Sequence, residues 1–376
     1  MQYRPFGKLD FQVSALSFGA MRLPMKTEGE KKVIDETEAI AMLRHAIDRG
    51  VNYVDTAYAY EGSEVIVGKA LQDGYRDKVK LATKMPIWLA QKTEDFDTYL
   101  NEELERLQTN HIDFYLIHAI WKGRWKQALD LNVFEWADKA LADGRIGHLC
   151  FSYHDDAELF KEVVDAYDWA MCQLQYNYMN EDVQAGTEGL KYAAEKGIAV
   201  VVMEPLLGGL LVRPPVNVKP LWDEAGKDPV DMALQWLWNK PEVSTVLSGM
   251  STMEQVRQNI ASAEKSGINS FTEADADLIT RVRSAYESAQ SVPCTKCGYC
   301  MPCPQGVNIP RNFELYNEGT LYENTGVSAP IYTAHFSEQE KAGNCIDCDI
   351  CEEKCPQKIT ISDWMPKIHE ALTMPA

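Results

Sequence analysis

The sequence predicts an α/β chain: a (β/α)8 TIM barrel followed by a small, cysteine-rich α+β domain. Two observations predict it. Eight short apolar runs alternate with helical patterns over roughly the first 285 residues, and such an alternation builds a parallel sheet that closes at eight strands. A break at Ser291-Val-Pro293 then opens a stretch holding eight of the ten cysteines. The expected domains are 1–285 and 286–376, and a hydrophobic content of 45% is enough for one large core and an appendage.

Taken in order, Tyr3–Ser14 reads as two short strands around a turn at Gly7. The barrel strands are expected at Ala15–Phe18, Val51–Val54, Val79–Thr83, Ile112–Ile117, Ile146–Phe151, Ala170–Leu174, Ala199–Met203 and Ser244–Leu247. Helical patterns fill the gaps, and several stop at glycine, as in Arg49-Gly50, Asp143-Gly144 and Lys196-Gly197. A last helix spans Glu273–Ser288, and one more is expected near Arg311–Asn317. Enzymes of this barrel class carry their chemistry at the strand C-termini, so the residues just after each strand are where function is sought.

The net charge of −19 argues against nucleic acid as a partner, because an acidic surface repels phosphate. No apolar run reaches the roughly 20 residues that span a bilayer. The N-terminus lacks the charged-then-apolar order of a secretory leader. A cytoplasmic location is expected, where dense C-x-x-C runs hold metals and not disulfides.

The second strand leads into Asp55-Thr-Ala-Tyr58-Ala-Tyr60-Glu-Gly62, the third ends at Lys84, and the fourth runs into His118. On these residues the chain resembles the aldo-keto reductases, over residues 1 to about 285. The resemblance implies Tyr60 as proton donor, Lys84 as its electrostatic partner, Asp55 as the group paired with Lys84, and His118 as the residue that orients the carbonyl oxygen. Adding hydride to a carbonyl leaves charge on oxygen, so a proton donor is needed. An adjacent ammonium is expected to lower the phenol below its usual value near 10. Tyr58 is the competing phenol, and both tyrosines have a plainer reading as pocket-lining aromatics.

No G-x-G-x-x-G follows a strand, so a Rossmann site has no support. The resemblance instead implies a dinucleotide, NADP(H) or NAD(H), across the barrel mouth. The matching positions are Gly19, Ala20, Met21, Asp55, Ser152, Gln173, Glu204, Pro205, Leu206, Gly208 and Leu210, then Gly249, Met250, Ser251, Thr252, Gln255, Gln258 and Asn259. The last group opens a helix, where backbone N–H groups suit a phosphate. Gly249 and Gln255 stand where the family often has cations for the 2′-phosphate, and Met203 where it often has a tyrosine stacked on nicotinamide. Met203 leaves a flavin open as the planar cofactor.

The tail carries Cys294-x-x-Cys297-x-x-Cys300-x-x-Cys303-Pro304 and Cys345-x-x-Cys348-x-x-Cys351-x-x-x-Cys355-Pro356. The second run matches the bacterial ferredoxin pattern, in which the fourth cysteine ligates the other cluster. Two [4Fe–4S] clusters are expected, one on Cys294, Cys297, Cys300 and Cys355, the other on Cys345, Cys348, Cys351 and Cys303. The first run is one residue short before its last cysteine, so the crossing through Cys303 stays open, as do two structural zinc sites. Cys150 and Cys172 fall in barrel strands and read as core residues. The whole then reads as an oxidoreductase on a small carbonyl or alcohol, with an electron-transfer protein as a further partner. The alternative is a redox-sensing or electron-carrier protein without carbonyl turnover. Trp88, Trp121 and Trp125 read either as pocket walls for an apolar or aromatic substrate or as loop packing.

Overall fold

The structure is a computed structural model of the chain and describes residues 1–29, 31–288, 292–321 and 325–373. Two antiparallel strands, β1 (Tyr3–Phe6) and β2 (Leu9–Ser14), form the N-terminal hairpin. Gly7 turns it at φ +57°, where a Cβ would lie 2.5 Å from Ala199 N and Gly197 O. The hairpin drives Phe6 and Val13 into a cluster with Tyr53, Phe114, Leu116 and Val201. The Phe6 ring centroid is 5.0 Å from Phe114 and 5.9 Å from Tyr53.

Next come β3 (Leu16–Gly19), the hairpin strands β4 (Met25–Glu28) and β5 (Lys31–Ile34), then β6 (Tyr53–Asp55), β7 (Lys80–Met85) and β8 (Ile112–Ile120). They are followed by β9 (Ile146–Tyr153), β10 (Met171–Gln175), β11 (Ala199–Met203) and β12 (Val243–Ser248). Eight of these, in the order β3-β6-β7-β8-β9-β10-β11-β12, close into a barrel of parallel strands. All eight expected strands are present. The β4–β5 hairpin escapes the sequence reading because its residues are exposed or half-buried and give no apolar alternation. The three glycine stops hold: Gly50, Gly144 and Gly197 have φ of +97°, +80° and +73°.

Parallel register decides the function. Gly19 pairs with Asp55, Asp55 with Ala82, and Lys84 with Leu116. The C-terminal tips therefore rise together, and residues far apart in sequence meet at one end.

The chain divides into two compact units, residues 1–176, 180–205 and 234–270, and residues 177–179, 206–233 and 271–376. The second unit takes in helices Lys219–Ala225 and Glu273–Ser288 as well as the cysteine segment. The segment after residue 291 has its own core of Val292, Val307, Phe313, Leu315, Tyr332, Met365 and Ile368. Its described elements are helices: Ile309–Leu321, Thr325–His335, Ile350–Glu353 and Ile361–Thr373, with short 3-10 turns. The insert holds two helices where one stretch was expected, and no strand is among the described residues of the lobe. The α+β expectation meets helices because the cysteines sit two or three residues apart in tight turns, which leaves no run long enough to pair. Ser291, the first residue of the expected break, lies outside the described residues.

Phe6 closes one end of the barrel core with no exposed surface. Phe6→Ala should lower the stability of the barrel transition by about 3–5 kcal/mol, measured by denaturant unfolding.

Candidate functional site

Asp55 ends β6, Lys84 lies near the end of β7, and His118 stands in β8. Tyr60 lies in the turn before helix Ser63–Ala70, which begins after Gly62 at φ +74°. The Lys84 ammonium donates to Asp55 Oδ1, and to the Thr56 carbonyl at 2.8 Å. Its Nζ is 3.5 Å from the Tyr60 hydroxyl and 5.0 Å from that ring's centroid. His118 meets the Tyr60 ring edge-on, centroids 5.9 Å apart. The four expected residues converge. Tyr58 does not join them: its hydroxyl donates to Glu102 at 2.9 Å, and its ring lies 4.2 Å from the Arg106 guanidinium.

Burial governs the charges. It lowers Lys84 and raises Asp55, and each ion limits the shift of the other. Tyr60 departs from the expected direction, with its phenol raised well above 10. Burial is the largest cause, the Asp55 and Glu204 carboxylates add to it, and Arg22 pulls the other way. The Lys84 ammonium is matched by Asp55 and does not outweigh the burial of the phenol. His118 is lowered well below 6.5 by burial and by Lys84, Arg124 and His154, which keeps the imidazole neutral. Behind β7, the fully buried Glu103 and nearly buried Glu64 share Thr83 as a hydrogen-bond donor. Both are raised by burial, Glu103 further by the neighbouring Glu64, while the Arg106 guanidinium pulls Glu64 the other way.

Around the mouth the expected dinucleotide residues have mixed placements. Gly19 and Ala20 are buried at the end of β3, and Met21 is exposed. Gln173 lies beside Asp55, and its Oε1 is buried without a hydrogen-bond partner. Ser152 Oγ accepts the Ala119 N–H at 2.7 Å. Glu204 takes φ +55° after β11, with Pro205 buried next to it. Beyond β12, Gly249 is exposed and Met250 buried. The helix Met253–Glu264 is capped from within: Thr252 accepts from Gln255 N, and Gln255 Oε1 accepts from Ser251 N at 2.7 Å. Ser251 Oγ donates to the Arg22 carbonyl, Asn259 to Ser248, and Gln258 to Glu254. The helix start is thus partly self-satisfied. Leu206, Gly208 and Leu210 belong to the second unit. There Gly208, at φ +64°, abuts the backbone of Thr295, next to Cys294; a Cβ would come within 2.7 Å.

Two cations at the mouth were missed from sequence. Arg22 directly follows Gly19-Ala20-Met21, and its methylenes lie 3.5–3.6 Å from where a Gly249 Cβ would be. Arg124 follows β8 by four residues and bonds the carbonyls of His118 and Ala119 at 3.4 and 3.2 Å. Their positions after the first and fourth strands were the available signal.

The eight tail cysteines fall into two sets. Cys294 has Cys297 and Cys355 as neighbouring cysteines, and Cys300 has Cys297, Cys294 and Cys355 before Cys351. Cys345 has Cys303 and Cys348, and Cys351 has Cys345 and Cys303. Cys303, Cys345, Cys348 and Cys351 all line one small pocket of about 20 Å³, partly open to solvent, with Val307, Ile309, Ile361 and Met365 on its wall. Among the described residues no three ligand-type side chains stand close enough to grip a single metal ion. Both loops bend alike: Lys296 and Gly298 have φ of +57° and +80°, and Asp347 and Asp349 have +58° and +57°.

Comparison with known proteins matches two segments of the chain. Residues 15–281 match the profile of the Aldo/keto reductase family, and residues 293–360 that of a 4Fe-4S dicluster domain. "Uncharacterized oxidoreductase YrpG" of Bacillus subtilis is 26% identical, over 70% of this chain and 91% of its own length. L-galactose dehydrogenase of Arabidopsis thaliana is 28% identical, over 74% of this chain and 94% of its own. Among solved structures, aldo-keto reductase AKR11C1 from Bacillus halodurans, in its holo form, superposes with a TM-score of 0.62 at 26% identity, covering 75% of this chain and 96% of that one.

The charge states set a pH profile. A phenol raised above 10 keeps its proton as pH rises, and an imidazole lowered below 6.5 stays neutral until pH falls below that value. kcat/KM for carbonyl reduction should therefore be flat from about pH 6.5 to 9. A limb with an apparent pKa inside that range would contradict the assignment.

Proposed function

Because the chain belongs to the aldo/keto reductase family, we propose that residues 1–285 interconvert a carbonyl compound and its alcohol with NADP(H) or NAD(H). Residues 286–376 then hold two [4Fe–4S] clusters that exchange electrons with a partner protein. The observation that carries the first part is the convergence of Tyr60, Lys84, Asp55 and His118 at one end of the barrel. L-galactose dehydrogenase and AKR11C1 lend support as relatives of oxidoreductase type.

The residues present fit a dinucleotide. The unpartnered Gln173 Oε1 suits a carboxamide N–H, and the start of helix Met253–Glu264 has the polarity for a phosphate. Gly19, Ala20, Asp55, Ser152, Glu204, Gly249 and Ser251 would complete the cradle. When bound, the dinucleotide supplies or accepts the hydride. Tyr60 holds the proton that the carbonyl oxygen receives. Neutral His118 donates a hydrogen bond that orients that oxygen. Lys84 offsets the charge left on the phenol oxygen, and Asp55 keeps the buried amine charged.

In the lobe, the neighbour relations support crossed ligation: Cys294, Cys297, Cys300 and Cys355 for one cluster, and Cys345, Cys348, Cys351 and Cys303 for the other. The second set is the more open, with Cys348 exposed where Cys355 is buried. We take it as the exit toward an electron-transfer protein. Dense C-x-x-C runs that suit metal thiolates fit a reducing compartment, the cytoplasm.

Tyr60→Phe should cut aldehyde-dependent NAD(P)H oxidation by at least ~100-fold while nucleotide binding persists; normal turnover would remove Tyr60 as donor. The ligand sets are separated by iron analysis of anaerobically purified double variants. Cys303→Ala with Cys345→Ala should keep half of the iron, whereas local ligation predicts that nearly all is lost.

A further inference from the structure

Behind β7 runs a chain of buried polar groups that the reductase reading does not use. Side chains alternate along a strand, so Lys84 faces the barrel interior and Thr83 the surrounding helices. There Thr83 meets two carboxyl groups: Glu64, on helix Ser63–Ala70, and Glu103, on helix Asp95–Arg106. Both are shut off from water, at 2% and 0% exposure. The Thr83 hydroxyl lies 2.6 Å from Glu64 Oε1 and 3.4 Å from Glu103 Oε1. Tyr115 of β8 donates to the other Glu103 oxygen at 2.5 Å. Arg106 pairs with Glu64 Oε2 at 3.2 Å and with Glu102 at 3.1 Å. Tyr58 closes the chain, with its ring on Arg106 and its hydroxyl on Glu102. One network thus joins the helix that follows Tyr60, the strand of Lys84 and the strand of His118.

Counting donors gives the charge of the two carboxyls. A threonine hydroxyl has one proton to give, and the nearer oxygen, on Glu64, takes it. Glu103 Oε1 faces the same hydroxyl oxygen and meets it favourably only by donating a proton of its own. The cations agree. Arg106 satisfies Glu64, and among the described residues no cation stands in ion-pair contact with Glu103. A fully buried carboxylate without a cation is costly, and two carboxylates on one donor repel. The charged and titratable groups around the pair are Asp55 on β6, Tyr58 and Tyr60 in the turn, Lys84 on β7, Glu102 and Arg106 on helix Asp95–Arg106, and Tyr115 and His118 on β8. Lys69, on the helix of Glu64, is turned to Glu36, and Arg145 acts on Tyr115. Across the strand, the charge of Lys84 is supported by Asp55 first and then by Glu64.

We propose that Glu103 is a carboxylic acid and Glu64 a carboxylate, and that this pair, clasping Thr83 from two helices, positions Lys84 beside Tyr60 and keeps it charged. Glu64 and Glu103 are positioning residues: neither reaches the mouth, and both act through β7. The catalytic consequence rests on the reductase reading, and the clasp itself does not.

The test is a glutamine scan of the full chain, because glutamine copies the shape and hydrogen bonding of a neutral acid. Glu103→Gln should keep the denaturant midpoint of the barrel transition. Glu64→Gln should lower it, since Arg106 loses its buried partner. Equal loss in both variants, equal tolerance of both, or the reverse order overturns the proposal. The carboxylic-acid C=O band in the infrared difference between wild type and variant should appear for Glu103→Gln and not for Glu64→Gln. With NADPH and benzaldehyde, Glu64→Gln should lower kcat ~10-fold while KM and NADPH affinity stay within about twofold. Its kcat/KM should gain an alkaline limb between about pH 6.5 and 9, because with one anion removed the Lys84 ammonium loses its proton at lower pH. Glu103→Ala should lose kcat as well, and Glu103→Gln should recover most of it. An unchanged kcat with a flat profile in Glu64→Gln overturns the positioning role. If the wild type reduces no aldehyde but the unfolding and infrared orders hold, the reductase reading fails and the clasp stands. Normal turnover with those orders reversed defeats the clasp and leaves the reductase reading intact.

Discussion

A lysine and an aspartate with side chains 1% and 3% exposed face each other inside the barrel mouth. Taking two ions out of water is costly, and the loss is recovered only when each satisfies the other. Alone, Lys84 would shed its proton and Asp55 would take one up. Together, with the Thr56 carbonyl as a further acceptor, they hold a fixed positive centre 3.5 Å from the Tyr60 hydroxyl. The pair exists because parallel strands bring the tips of β6 and β7 to the same height. Breaking the register by one residue would turn one partner away. The closed barrel is thus the condition for the site, and the rest of the chemistry is arranged around this ion pair.

The same pair explains why the expected direction of the Tyr60 shift failed although the four expected residues converge. Asp55, Tyr60, Lys84 and His118 were legible because strand ends are read from apolar runs, and a strand end fixes which face of the barrel a residue serves. The acidity of Tyr60 was not, since it depends on how much of the Lys84 field remains after Asp55 is satisfied, and on Glu204 and Arg22, which arrive from distant loops. Arg22 and Arg124 were overlooked for a related reason: a basic residue after a strand is ambiguous until it is known what it lies on. The exposed β4–β5 hairpin lacks the apolar pattern that reveals a strand.

The cysteine spacing fixed the ligand loops, but not their partners. In each run the second and fourth residues after the first cysteine take left-handed backbone, which curls the loop. Only Gly298 is a glycine; Lys296, Asp347 and Asp349 hold the same conformation against their intrinsic preference. The shared curl makes the two runs structural repeats despite the missing residue before Cys303. The neighbours of each sulfur support the crossed reading that spacing left open, since Cys303 stands near Cys345 and Cys351, and Cys355 near Cys294 and Cys300.

Two-electron and one-electron chemistry must be matched within this chain. A hydride brings two electrons together, and a cubane takes one, so a pair of cubanes has the right capacity for one turnover. Direction depends on charge. Each added electron makes the thiolate-bound cluster more negative, and that is resisted more where water is excluded. The set that includes buried Cys355 therefore resists reduction more than the set that includes exposed Cys348, which stands between Ile346 and Ile350, themselves 60% and 42% exposed. On the proposed reading, electrons entering the lobe would pass toward the open loop. That polarity follows from the same desolvation that raises Asp55 and Tyr60, applied to sulfur instead of oxygen.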